Sequence, residues 1–141
     1  MTAAGLAPDA LVLELTEQLV TDDTSQVRRT LEELRAWGSH LAVDDFGTGY
    51  ASLAYLSTWP VDVVKLDRSL ACALGGTDRQ GRVASAVARL TTGLGMVAVA
   101  EGIETEAQRS QALAHGFVLG QGHLLSRPMT AGALTARLAA R

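Results

Sequence analysis

Short apolar runs recur along the 141-residue chain, and each of them ends at or beside a polar residue. Apolar runs of four to eight residues bounded by turn residues are typical of buried β-strands. The runs cover residues 11–16, 41–45, 61–67, 96–101 and 117–121. Because each run is followed by sequence of helical character, we predict βα units that form a parallel sheet with right-handed crossovers.

The segments between the runs contain capping residues and apolar side chains at helical spacing. Val27, Leu31 and Leu34 lie on one face of the first predicted helix. Thr105 and Gln108 have the spacing of a capping box. Helices are predicted to begin at Asp23 or Thr24, at residue 51, at Asp78 and at Thr105, with a last helix after Pro128.

Polar residues stand at the ends of the predicted strands, about one βα unit apart. They are Glu14, Asp44, Lys65, Glu101 and Gln121. Both a (β/α)8 barrel and a doubly wound open sheet place their sites at the carboxyl ends of the strands. No Gly-x-Gly-x-x-Gly motif follows the first strand, which weighs against a dinucleotide-binding fold. We predict an α/β fold, an incomplete (β/α)8 barrel of about five units, with the open sheet as the alternative.

Asp44 and Asp45 form a pair of adjacent carboxylates at the end of an apolar strand. A loop that contains Gly47 and Gly49 follows them directly. A single Asp at such a position is explained by its tendency to cap turns. A pair of acids that faces a glycine loop favours a cation site or a proton relay, because buried charges require compensation.

Four carboxylates are expected at one edge of the sheet: Glu14, Asp44, Asp45 and Glu101. Carboxylates that lie close together at one edge repel one another unless a positive charge lies among them. Oxygen ligands favour Mg²⁺ or Mn²⁺, with Ca²⁺ as an inhibitory occupant, and no His or Cys stands at these strand ends to favour zinc. A pair of such ions suits the hydrolysis of phosphate esters.

Lys65, Asp67 and Gln121 complete the candidate site. Lys65 is the single lysine of the chain, and its ammonium can orient an attacking water or stabilise a phosphate. Asp67 is two residues further along, on the same side of the strand, where it can hold that ammonium. Gln121 can bond a water or the substrate. The alternatives are a surface pair between Lys65 and Asp67, a plain polar turn over residues 101–104, and a backbone-capping role for Gln121.

The composition narrows the possible functions. The chain is 48% hydrophobic and 19% charged, as in a globular domain. Its net charge of −3 does not favour general binding to DNA or to anionic membranes. Cys72 is the single cysteine, which favours a reducing compartment, and we expect a cytoplasmic location. We also expect no secretory signal and no membrane span, since no long apolar stretch is present.

Several short motifs are spread over nearly the whole chain. They are Leu-Glu-Leu-Thr-Glu at 13–17, Asp-Asp-Phe-Gly-Thr-Gly-Tyr at 44–50, Lys-Leu-Asp at 65–67, Ala-Glu-Gly-Ile-Glu-Thr at 100–105, Gly-Gln-Gly at 120–122 and Ser-Arg-Pro at 126–128. In order and spacing they resemble the EAL domain, the cyclic di-GMP phosphodiesterase module of bacterial signalling. The resemblance implies a (β/α)8-type barrel that hydrolyses cyclic di-GMP to linear pGpG with two Mg²⁺ or Mn²⁺ ions.

The resemblance also implies roles for individual residues. The implied metal ligands are Glu14, Asp44, Asp45 and Glu101, and the implied catalytic residues are Lys65, Asp67, Glu101 and Gln121. Asp44 bridges both ions in this scheme, whereas Asp45 and Glu101 serve the second ion directly or through water. Lys65 orients the attacking water with help from Asp67.

A mobile loop over residues 45–53 is a further feature that the resemblance implies. It couples metal, substrate and dimer partner, and Glu17 anchors it. Its named residues are Phe46, Gly47, Thr48, Gly49 and Tyr50. Glu104 matches a further acid near the second metal.

The chain departs from the family pattern in its first strands. It contains no Glu-Ala-Leu tripeptide, whose Glu is a metal ligand, and it lacks the family's second-strand Asn and substrate-gripping Arg. His123 and Leu125 stand where an aromatic pair is more usual. We therefore expect residues 1–141 to be the C-terminal part of a single EAL domain, with little turnover by themselves.

The expected partners are cyclic di-GMP and another EAL segment, the latter in a homodimer or a mixed assembly. Unclosed strand edges expose main-chain groups and favour such pairing. The alternative function is a non-catalytic EAL fragment that binds a nucleotide or another protein.

Overall fold

The computed structural model describes residues 5–16, 25–48 and 53–140. Within these ranges the strands form one parallel sheet, which confirms the predicted α/β architecture. The strands are β1 (Val12–Thr16), β2 (His40–Phe46), β3 (Val63–Leu66), β4 (Val97–Ala100) and β5 (Leu119–Gly120). The last strand is shorter than the predicted 117–121, and Phe117, which precedes it, is buried in the core.

The spatial order of the strands, β1-β2-β3-β4-β5, follows their order along the chain. A doubly wound sheet reverses its strand order at a switch point, whereas a barrel wall does not. The described sheet is therefore an arc of a (β/α)8-type barrel and not a doubly wound sheet. Among the described strands, β1 and β5 each pair with one neighbour, so both edges of the arc are open.

Helices follow the strands in the expected alternation. They are α1 (Ser25–Ala36), α2 (Leu53–Thr58), α3 (Arg68–Ala73), α4 (Arg79–Gly93), α5 (Glu106–Ala114) and α6 (Ala131–Ala139), with a 3₁₀ turn at Pro8–Ala10. The predicted caps Asp23 and Thr24, and the predicted helix start at residue 51, lie outside the described residues. The pattern of apolar positions does not predict α3. No helix in the described ranges has both the length and the apolar character needed to cross a bilayer.

Side-chain caps fix the first turns of α4 and α5 as predicted. The Asp78 carboxylate accepts a hydrogen bond from the Gly81 amide at 2.8 Å. At α5, Thr105 Oγ1 accepts from the Gln108 amide at 3.2 Å, and Gln108 Oε1 accepts from the Thr105 amide at 2.9 Å. These bonds satisfy amides that an α-helix leaves without an internal partner.

The core lies between the strands and the inner faces of the helices. Its fully buried members include Leu41, Val43, Val64, Leu66, Ala84, Ala88 and Phe117. At the amino ends of the strands, Asp62 accepts from Arg35 Nη2 at 2.8 Å and from the Leu41 amide at 3.1 Å. The amino ends are thus held by their own ion pair, and the acids predicted from the sequence stand at the opposite ends.

Candidate metal centre

The Lys65 ammonium lies at the centre of the acids that the strands carry. Its Nζ is 2.6 Å from Asp44 Oδ1, 2.9 Å from Glu14 Oε1 and 2.9 Å from Glu101 Oε1. Glu14 comes from β1, Asp44 from β2, and Glu101 directly follows β4. The structure therefore brings together four residues that the sequence assigns to separate strand ends.

Lys65 is buried, with 8% of its surface exposed, yet it remains charged. Burial acts to lower the pKa of its ammonium, but hydrogen bonds to Asp44, Glu101 and Glu14 act in the opposite direction. The net result is a pKa raised above the usual value for lysine. The single positive charge is thus fixed among the carboxylates at neutral pH.

A β-bulge places Asp44 and Asp45 at the same site. Val43 pairs with Val64 and Phe46 pairs with Leu66, so two residues of β2 lie opposite Lys65 alone. Asp45 has φ of +52°, in the left-handed region that Asp tolerates better than most residues. In a regular strand adjacent side chains point to opposite faces, so the sequence pattern alone does not explain how both acids reach one site.

The side chains of Asp44, Asp45 and Glu101 form a possible cation site. One carboxylate oxygen from each lies within 4.8 Å of the other two. Asp44 and Glu101 are partly buried and Asp45 is exposed, which leaves an approach from solvent. An all-oxygen donor set of this kind fits a hard divalent ion such as Mg²⁺ or Mn²⁺. Glu14 is joined to this group through Lys65.

Asp67 does not hold the Lys65 ammonium, which corrects the expectation from sequence. Strand β3 ends at Leu66, and Asp67 is the N-cap of α3. Its Oδ1 accepts a hydrogen bond from the Ser69 amide at 2.8 Å. Partial burial acts to raise the pKa of this carboxyl, but the bonds from Ser69 and Arg68 and the Arg68 charge lower it below its usual value.

Glu104, the further acid expected near the second metal, forms an ion pair with Arg68. Its Oε2 accepts from Arg68 Nη2 at 2.9 Å, so its charge is already paired. Gly102, with φ of +67°, allows this pairing because a Cβ there would overlap the Arg68 side chain. The sequence gives no signal for Arg68, since the helix that carries it is not predicted.

Gln121 follows β5 at the same edge of the sheet as the acids. Its amide donates to the Ala100 carbonyl at 2.9 Å, and its carbonyl accepts from the Ile103 amide at 3.0 Å. Its side chain is exposed. The backbone of Gln121 therefore ties the end of β5 to the Glu101 turn.

The loop after β2 is described only in part. Phe46 ends the strand and is buried, and Gly47 has φ of +109° beside the Leu70 side chain. Thr48 donates to the Asp45 carbonyl from both its amide and its hydroxyl. The predicted loop residues Gly49 and Tyr50, and the predicted anchor Glu17, lie outside the described residues.

The match to a known family agrees with this geometry. The EAL domain family model matches residues 1–128. The chain belongs to the EAL domain family. The matched range includes Glu14, Asp44, Lys65 and Glu101, the four residues that meet in the structure.

The proteins that this EAL chain resembles include a named phosphodiesterase. It is 41% identical over 131 residues to the cyclic di-GMP phosphodiesterase NbdA of Pseudomonas aeruginosa, and the alignment covers 93% of the chain and 17% of NbdA. The EAL domain of Mycobacterium smegmatis DcpA superposes with a TM-score of 0.90 at 40% identity, covering 99% of this chain and 62% of that solved EAL domain. The fold is thus that of a solved EAL domain.

A third relative was solved with metal and nucleotide. Klebsiella pneumoniae BlrP1, in a complex with manganese and cyclic di-GMP, has a TM-score of 0.80 and 39% identity, covering 90% of this chain and 32% of BlrP1. A complex of BlrP1 with calcium is also known. The present EAL chain spans about a fifth of the length of the curated relatives that it matches.

Proposed function

We propose that this EAL chain supplies a large part of a metal-dependent site that hydrolyses cyclic di-GMP to linear pGpG. The observation that carries the proposal is the meeting of Lys65 with Glu14, Asp44 and Glu101 at 2.6–2.9 Å, at the carboxyl edge of a barrel arc. A dense acidic group with one fixed ammonium suits phosphate-ester chemistry, because the substrate is anionic and the acids require cations.

The residues that would hold Mg²⁺ or Mn²⁺ are Glu14, Asp44, Asp45 and Glu101. Asp44, Asp45 and Glu101 form an all-oxygen group, Glu14 is joined to it through Lys65, and BlrP1, a relative, was solved with manganese. Bound divalent ions supply charge neutralisation for the phosphate and lower the pKa of a bound water. We assign Asp44 the central position among the ligands, since it contacts Lys65 and lies beside both Asp45 and Glu101.

Lys65 acts as the orienting group for the attacking water in this scheme. Its ammonium donates to three carboxylates in this structure, so all three of its N–H donors are used. Divalent ions bound by those carboxylates would release a donor to hold the water in a fixed position relative to the acids. Gln121 is assigned a polar contact with water or substrate, because it ends the neighbouring strand with an exposed side chain. Asp67 contributes by capping α3 and not by contact with Lys65.

A non-catalytic role is the second candidate. The sequence contains no Glu-Ala-Leu tripeptide, so one expected metal ligand is not among its residues. The open edges of β1 and β5 in the described sheet favour pairing with a second copy or with another EAL segment. Under this alternative the chain binds cyclic di-GMP or another EAL segment without turnover.

Binding and turnover measurements on the 141-residue chain separate the two. We expect Mn²⁺ and cyclic di-GMP to bind in calorimetry, with pGpG formation far slower than by a complete EAL domain. Glu101→Gln is expected to weaken Mn²⁺ binding about 10–100-fold. Glu106→Gln, the same change on the exposed surface of α5, is the matched control. Equal Mn²⁺ affinity in both variants would contradict the metal site, and rapid turnover would exclude the non-catalytic role.

A further inference from the structure

Thr48 makes two hydrogen bonds to the carbonyl of Asp45, the second of the two bulge residues in β2. Its amide donates to the Asp45 carbonyl oxygen at 3.2 Å, and its Oγ1 donates to the same oxygen at 3.0 Å. Two donors on one acceptor fix the direction of the Asp45 peptide group. The side chain of Thr48 is itself on the exposed surface, so burial does not explain its position.

The Asp45 backbone requires such a restraint. Its φ of +52° makes it the one residue other than glycine with positive φ in the described part of the chain. This conformation is unfavourable for an L-residue and persists where the surroundings hold it. If Asp45 relaxed to an extended conformation, its side chain would turn to the face opposite Asp44.

The other side of the bulge is held by the sheet. Phe46 is buried, and its carbonyl accepts from the Asp67 amide at 3.2 Å, so the β2–β3 ladder resumes directly after Asp45. Asp45 is therefore fixed between a strand residue on one side and the Thr48 turn on the other. Only the Thr48 side of this arrangement depends on a side-chain hydrogen bond.

We propose that Thr48 is a positioning residue that holds Asp45 in its left-handed conformation and thereby places the Asp45 carboxylate beside Asp44 and Glu101. The claim about the Asp45 backbone stands on the hydrogen bonds alone, and its consequence for metal rests on the proposed function. Thr48 bonds to the Asp45 carbonyl, so it acts on the carboxylate through the Asp45 peptide.

Three variants of the 141-residue chain test this proposal. Thr48→Val removes the hydroxyl at nearly constant volume, whereas Thr48→Ser keeps a hydroxyl at the same position. Thr135→Val on α6 is the matched control, because it removes a Thr hydroxyl that also donates to a backbone carbonyl on the exposed surface. Circular dichroism checks that each variant is folded.

The first readout is the sign of φ at Asp45 from backbone NMR couplings and chemical shifts, which needs no metal. The second is Mn²⁺ affinity by calorimetry. Thr48→Val is expected to lose the positive φ in a large part of the population and to bind Mn²⁺ about tenfold more weakly. Thr48→Ser and Thr135→Val are expected to match the parent chain in both readouts.

Two results would overturn the proposal: an unchanged positive φ at Asp45 in Thr48→Val, or a Thr48→Ser variant that binds Mn²⁺ as weakly as Thr48→Val. If the parent chain itself does not bind Mn²⁺, the proposed function fails in this chain. The NMR readout then still decides whether Thr48 holds Asp45.

Discussion

At the scale of single residues, Lys65 determines whether the acidic group is compatible with a folded protein. Three carboxylates point their oxygens at one ammonium, and the side chain that carries it is almost fully buried. Removing one partner of a buried ion pair leaves the other charges uncompensated, which costs more than the loss of the attraction alone. Lys65 therefore has a structural role in addition to the proposed catalytic one.

We predict that Lys65→Met lowers the free energy of unfolding by about 2 kcal/mol near neutral pH. The effect is expected below the roughly 3–5 kcal/mol typical of fully buried pairs, because the carboxylates keep partial contact with water. Urea unfolding followed by circular dichroism measures it. Arg89→Met, which removes one positive charge from the exposed surface of α4, is expected to change stability by less than about 0.5 kcal/mol. Equal effects of the two variants would contradict this role.

At the scale of elements, Asp67 shows that the two-residue repeat of a strand predicts side-chain direction only as far as the strand extends. Residues two apart share a face only while the strand continues, and β3 ends at Leu66. Asp67 then adopts the N-cap conformation of α3, and its carboxylate turns to the Ser69 amide. The sequence predicts contact with Lys65 or a surface pair for Asp67, and it does not predict this capping role.

We predict that Asp67→Ala lowers the free energy of unfolding by about 1 kcal/mol, the usual cost of losing an N-cap. The folded-state pKa of Asp67 is below its ordinary value of 3.8, so its contribution is present above that value and is lost as the pH falls through the folded-state pKa. The difference between the parent chain and Asp67→Ala should thus be constant above about pH 5 and shrink in acid.

Asp67→Asn is the control for that experiment. Asn also caps helices but does not titrate, so this variant should retain most of the stability at neutral pH. Urea unfolding at several pH values measures both variants. A loss in Asp67→Asn as large as that in Asp67→Ala would show that Asp67 acts through its charge and not through its cap.

At the scale of the whole molecule, the sheet could be predicted because parallel strands bring their carboxyl ends to one edge. That rule alone placed Glu14, Asp44, Lys65 and Glu101 together. It did not predict how Asp45 joins them, because the bulge depends on the backbone at one residue and on the Thr48 turn. Element α3 was missed as well, since six residues are too few for a helical period to stand out.

The open edges of the described sheet lead to a prediction about assembly. β5 pairs only with β4 among the described strands, and Val118 and Leu119 beside that edge are 78% and 53% exposed. Unpaired strand edges with apolar side chains favour pairing with another chain. We predict that the 141-residue chain associates in a concentration-dependent manner, as sedimentation velocity would show. The double variant Val118→Lys with Leu119→Lys should be more monomeric than the parent chain, because charge at a strand edge disfavours pairing.

Leu94→Lys provides the comparison for this last experiment. Leu94 is 41% exposed at the end of α4 and is not part of β5, so it tests whether any added lysine disperses the chain. If the association uses the β5 edge, Leu94→Lys sediments as the parent chain does, while the double variant does not. A parent chain that is monomeric at every concentration would show that the open edge does not pair with a second copy. In that case another EAL segment becomes the better candidate for the partner at this edge.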